Sequence, residues 1–139
     1  MRFLALLLAL AASVHAAPLH LSKKGVSVPV RQVVDAQLAA LRADDYAAAY
    51  ALASAQIQQQ FTARLFERMI KRGYPALARH ARAEPGLVHD DGAGRAEVVI
   101  SVYDSQDRQM DFRYRLVQQN DEWRINGVVT EAPPKRGDT

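Results

Sequence analysis

The chain has 139 residues, no cysteine, a formal charge of +3 and 49% hydrophobic residues. That length suits one ordinary domain able to bury its own core, and the missing thiol excludes disulfides, a cysteine nucleophile, a thiolate metal site and a lipoprotein anchor. The small basic excess, +2 without Arg2, is no footprint for nucleic acid.

Residues 1–16 read as a signal peptide. Arg2 is a positive n-region, Phe3 to Ala12 are an unbroken apolar h-region, and Val14-His15-Ala16 ends on a small residue. The run is too short to span a bilayer, which needs about 20 apolar residues. Cleavage is expected after Ala16 or Ala17, giving a periplasmic or secreted protein. No second long apolar run follows, so the rest is not expected to span a membrane. Residues 17–28, with Ser22-Lys23-Lys24-Gly25, lack an apolar period and predict a flexible linker.

Pro29 suits the first turn of a helix, where its missing N–H costs nothing. Val30, Val33, Val34, Leu38 and Leu41 continue that helix to about Ala43. Asp44-Asp45 break it and cap a second, Ala-rich helix over Tyr46 to Ala53. Ser54 to Phe61 are a polar, Gln-rich connector with room for one helical turn. Thr62 caps a third helix, Ala63 to Arg72, with Leu65, Phe66, Met69 and Ile70 on its apolar side and Gly73 at its end.

After Pro75 the helical spacing gives way to alternation. Arg82 to His89 predict a strand interrupted by Pro85-Gly86, either an edge or a bulge. Ala96 to Tyr103, Gln109 to Gln118 and Trp123 to Thr130 predict three further strands, the last with a bulge at Asn126-Gly127. Alternation puts Val98, Ile100, Val102, Met110, Phe112, Tyr114, Leu116, Trp123, Ile125 and Val129 on one face. Glu97, Ser101, Asp111, Arg113, Arg115, Arg124 and Asn126 fall on the other, so one face is core and one is wet. The result is a single α+β domain over 29–131, helices on one sheet face, with a disordered tail at 132–139.

Val33 to Leu38, Ala43-Asp44-Asp45, Ala53-Ser54, Met69 to Pro75 and Trp123-Arg124-Ile125-Asn126-Gly127 together resemble the exported bacterial family called domain of unknown function 4864. The resemblance spans about Val30 to Val129. It implies a nuclear-transport-factor-2-like (cystatin-like) cone, with N-terminal helices in the concave face of a curved antiparallel sheet. It implies no activity.

Isomerases and dehydratases occur on such cones, and a ketosteroid-isomerase type of site needs a carboxylate base inside the cup. The inward strand positions hold no Asp, Glu or His; Glu97 and Asp111 fall outward, and capping explains Asp44 and Asp45. His80 and His89 lack a partner at ligand spacing, so no metal site is expected. There is no nucleophile elbow and no phosphate loop.

Gln37 falls in the middle of the first helix's apolar stripe. A buried amide must find partners. It reads first as a tie to a loop backbone or to Tyr74, and second as the polar group at the floor of a ligand cup. Period places Leu41, Tyr50, Phe66, Met69, Ile100, Phe112 and Tyr114 around that cup. Arg64, Arg68, Lys71 and Arg72 form a basic ridge on the third helix. It reads first as a solvated face and second as a contact for an anionic surface or acidic partner. The function expected is an exported binding or interaction module without catalytic machinery or cofactor. Its partner is a small apolar ligand or an envelope protein, with homodimerisation left open. The alternative is a cone-pocket enzyme, isomerase or dehydratase-like, acting on a small hydrophobic substrate.

Overall fold

The computed structural model describes residues 17–132, so the leader expected at 1–16 and the tail beyond 132 lie outside the described residues. The elements are β1 (His20–Leu21), α1 (Lys24–Arg42), α2 (Tyr46–Ala51), α3 (Ala55–Gln60), α4 (Ala63–Gly73), α5 (Pro75–Ala78), β2 (Arg82–Asp90), β3 (Arg95–Tyr103), β4 (Gln109–Gln119) and β5 (Glu122–Glu131). The strands form one curved antiparallel sheet in the order β1-β2-β3-β4-β5, and the helices pack against it as an α+β domain. No helix among the described residues is long and apolar enough to cross a membrane.

The segment expected to be a linker, 17–28, is structured. His20 and Leu21 pair with Asp90 and His89, and the Ser22 N–H donates to the Val88 carbonyl at 2.9 Å. α1 begins five residues ahead of Pro29, because Val26 adds a turn to the apolar stripe that continues through Val30 and Val34 and packs on the core. Pro29 removes only one hydrogen bond near the helix start, and packing of that face outweighs it. α1 ends in a Schellman turn: the Asp44 N–H donates to the Leu41 carbonyl and the Asp45 N–H to the Ala40 carbonyl. Asp44 takes the left-handed position usually held by glycine, with φ of 57°. Asp45 then caps α2, accepting the Ala48 N–H at 3.0 Å.

Two elements exceed expectation. The Gln-rich connector is a full short helix, α3, because the buried Ser54 hydroxyl accepts the Ile57 N–H and caps it. Pro75 starts the one-turn α5 instead of ending helical structure, a position its fixed φ favours.

The bulge expected in β5 is present, and of the two alternatives at Pro85-Gly86 in β2 the pairing shows the bulge. In β2, Gly86 and Leu87 together face Val99, between the pairs Pro85–Ile100 and Val88–Val98. In β5, Asn126 is the extra residue between the pairs Leu116–Ile125 and Arg115–Gly127. One extra residue reverses every later side chain, since the strand period is 2. Val128, opposite Tyr114, therefore packs against the core, while Val129 is 37% exposed. The expectation that Val129 points inward is corrected on this ground. Met110 shares the inner face by period but lies at the end of β4 and is 43% exposed. The other predicted inward residues of β3, β4 and β5 are buried, and Ala96 joins them.

The free edge of β5 is covered. The Ile125 N–H donates to the Leu52 carbonyl and the Ser54 N–H to the Ile125 carbonyl, so residues 52–54 act as a sixth partial strand. An edge without such cover is a template for aggregation. On the outer face, Arg113 binds Glu97 and Glu131 together, at 2.9 and 2.6 Å, which stitches β3, β4 and β5 across their exposed side.

Candidate functional site

An apolar cavity of about 170 Å³ lies between α1, the 53–61 segment, α4 and the bulged part of β5. Phe66, Met69 and Ile70 form the α4 wall; Ala53, Ile57 and Phe61 form a second. Ile125, Gly127 and Val128 close the strand side, and Gln37 and Tyr74 supply the polar atoms. The bulge is what builds the strand wall: were Asn126 paired opposite Arg115 in regular register, Val128 would fall opposite Arg113 and face away.

Gln37 is 3% exposed and makes one hydrogen bond among the described residues, from Nε2 to the Ala49 carbonyl at 3.3 Å. Its amide therefore ties α1 to α2 and leaves Oε1 as an acceptor at a cavity-lining residue. Tyr74 does not meet it; the Tyr74 hydroxyl donates to the Val128 carbonyl at 2.8 Å.

Of the residues expected around a cup, Gln37, Phe66 and Met69 come together at this cavity. Leu41, Ile100, Phe112 and Tyr114 lie in the closed core and do not line the cavity. Tyr50 stands behind Phe66, ring centroids 5.4 Å apart, with its hydroxyl donating to the Phe61 carbonyl. Ile57, Phe61 and Val128 escaped sequence reading, and Tyr74 reads from sequence as a partner of Gln37 and not as a wall of the cavity. The first two are the lone apolar residues of a polar stretch, and a lone apolar residue carries no period; Val128 depends on the bulge.

The basic ridge divides. Lys71 is engaged within the fold, 3.6 Å from Glu67, 3.9 Å from Asp44 and 4.9 Å from the centre of the Tyr46 ring. Arg68 and Arg72 line a shallow groove beside the cavity, and Arg64 lines neither space.

No Asp, Glu or His lines the cavity. Ser22, Asp90 and His20 do converge, but the serine hydroxyl donates to the Asp90 carboxylate and His20 Nε2 sits 3.5 Å from the same group. The carboxylate stands between serine and imidazole, so no base is placed to deprotonate the hydroxyl. The trio anchors β1. Among the described residues no three His, Asp or Glu side chains group as metal ligands.

His80 is buried and structural. Its Nδ1–H donates to the Leu77 carbonyl at 2.7 Å and Nε2 accepts from Arg42 at 2.9 Å, an arrangement only the neutral ring can make because arginine has no acceptor. Burial, with Arg42 adding to it, holds its pKa below the ordinary 6.5. The unfolded chain thus takes up a proton near pH 6.5 that the native ring resists. Stability is full above that pH and falls as the pH drops through it toward the lower native value. Denaturant midpoints should decline between about pH 7 and 5, and His80→Asn should flatten that decline. A flat native profile over this window would show that His80 is not held neutral. Asp90, Asp104 and Glu131, whose pKa values are lowered by hydrogen bonds from Ser22, Arg108 and Arg113 respectively, act only at more acid pH.

Helices on one face of an antiparallel sheet, with an apolar cavity where the helices meet a bulged last strand, define a small α+β pocket domain. The chain matches the family described as Domain of unknown function (DUF4864) over residues 24–137 and belongs to it. The match begins where α1 begins. No curated protein matches the chain.

Proposed function

We propose that this chain is an exported binding module whose cavity takes a small apolar group, oriented by the Gln37 amide, without acid–base catalysis. The observation that carries the reading is the cavity itself: a largely apolar space with one amide and one phenol, matching the general make-up of small-ligand sites. Its size resembles the roughly 150 Å³ apolar cavity known to admit benzene. An uncharged amide is not a base at neutral pH, so such a site orients a ligand and does not remove its proton.

The test is a titration of toluene and phenol followed by methyl chemical shifts. Toluene should move the Ile57, Met69, Ile70 and Val128 methyls, and phenol should bind more tightly by donating to Gln37 Oε1. Gln37→Leu should keep toluene, lose the preference for phenol and change stability by less than about 1 kcal/mol, the net worth of one hydrogen bond. Absence of shifts with both probes would overturn the reading. So would an activity that follows one ionisation and disappears with Asp44 or Asp45 while the fold survives; the cone-pocket enzyme would then replace it.

The export half of the proposal rests on the pattern of residues 1–16. Intact mass of protein recovered from native cells should start at Ala17 or Pro18, and a chain that keeps Met1 to Ala16 would rule export by this leader out.

A further inference from the structure

We propose that the ligand is a single-chain amphiphile with an anionic head: its apolar end fills the cavity, and its carboxylate or phosphate meets Arg68 and Arg72. The inference rests on the binding reading above and adds the chemistry of the ligand. The cavity and the neighbouring groove share two walls, Phe61 and Met69, so the apolar space and the surface groove adjoin at these two side chains. Methionine is unbranched and readily repacked, which suits a residue at such a passage. The groove continues the apolar path with Leu65, which is 44% exposed, and then meets the two guanidinium groups.

Those arginines are placed in an unfavourable way for an empty surface. They stand one helical turn apart on α4, a spacing at which like charges repel. Among the described residues neither has a carboxylate within salt-bridge reach, whereas Lys71, on the same helix, has both Glu67 and Asp44. Lys71 is thus neutralised within the fold while, among the described residues, Arg64, Arg68 and Arg72 are not, and of these three Arg68 and Arg72 line the groove beside the cavity. An anion tethered to an apolar chain satisfies both halves at once, since guanidinium groups bind carboxylate and phosphate through paired hydrogen bonds. A bare apolar ligand would leave the charges unmatched, and a free anion would leave the cavity unfilled.

Calorimetric titration at neutral pH separates the possibilities with nonanoate, octyl phosphate and octan-1-ol, which carry the same octyl tail and differ only in the head. At least one of the two anions should bind about tenfold more tightly than the alcohol, with a margin that shrinks as salt is raised. The double variant Arg68→Gln/Arg72→Gln alters only exposed side chains and keeps the fold. It should bring the anion down to the affinity of the alcohol and leave the alcohol unchanged. Equal affinity for anions and alcohol in the native protein would overturn the inference and leave the cavity reading standing. Failure of all three to bind would overturn it as well, and the toluene titration then decides whether the cavity reading falls with it. Binding to vesicles of anionic phospholipid that is lost in the double variant, with no binding of either soluble anion, would also overturn it by assigning the arginines to a membrane surface.

Discussion

Trp123→Ala should destabilise the domain by about 3–5 kcal/mol, the range for deleting a large buried aromatic ring. Trp123 is the largest side chain in the chain's last strand and is only 7% exposed. It pairs across β4 with Gln118 and shares a wall with Pro29, Val33 and Ala36 of α1 and with Leu52, so it fastens the long helix to the end of the sheet. Its removal leaves a void between two elements that cannot both collapse onto it. Urea melts at fixed pH measure the effect. A loss under about 1 kcal/mol would place the ring outside the core and make it a contact residue instead.

Gly86→Ala should destabilise by about 1–3 kcal/mol, a large effect for one methyl group. A Cβ at Gly86 would stand 2.8 Å from the Val99 carbonyl oxygen, closer than real Cβ contacts allow, and the obstacle is backbone. The β2–β3 ladder must open at its bulge to relieve it, a strain of the kind that overpacking produces. The carbonyl of Gly86 itself accepts a hydrogen bond from Arg31 Nη2 at 3.0 Å, so the shift also disturbs the tie from α1 to β2. Gly127, the glycine beside the other bulge, is a control: nothing lies within 4 Å of a Cβ there, and Gly127→Ala should cost far less. Equal effects at the two positions would refute the close approach as the cause.

Much of the fold was legible in local pattern. Val30 to Leu41 repeat at helical spacing, Asp45 and Thr62 each precede a helix they cap, and the alternation in β3 and β4 separates Ile100 and Phe112 from Ser101 and Arg113. Such signals are local because capping, period and pleat act over a few residues. The start of α1 was not legible. Pro29 is a good first-turn residue by its own chemistry, and only the packing of Val26 on the sheet carries the helix back to Lys24. β1 was equally hidden, since two residues hold no period and their order comes from pairing with β2, some seventy positions away, and from the Ser22–Asp90 bond.

The cavity shows the division most clearly. The inward direction of Gln37, Phe66 and Met69 follows from helical period alone, so their candidacy was readable from the chain. Period says which way a side chain points but not how deep it ends. Leu41, Ile100, Phe112 and Tyr114 point toward the same interior and fill it, while the open space lies where the 53–61 segment, Tyr74 and the bulged strand meet α4. That position is decided by two tertiary events. Residues 52–54 dock on the edge of β5, and Asn126 adds one residue to β5, turning Val128 inward and Val129 out. Sequence by itself determined the α+β order, the inward faces of β3 and β4 and the family. The tertiary structure decided where the core stops short of filling its own shell, because that depends on distances between elements that no local period encodes.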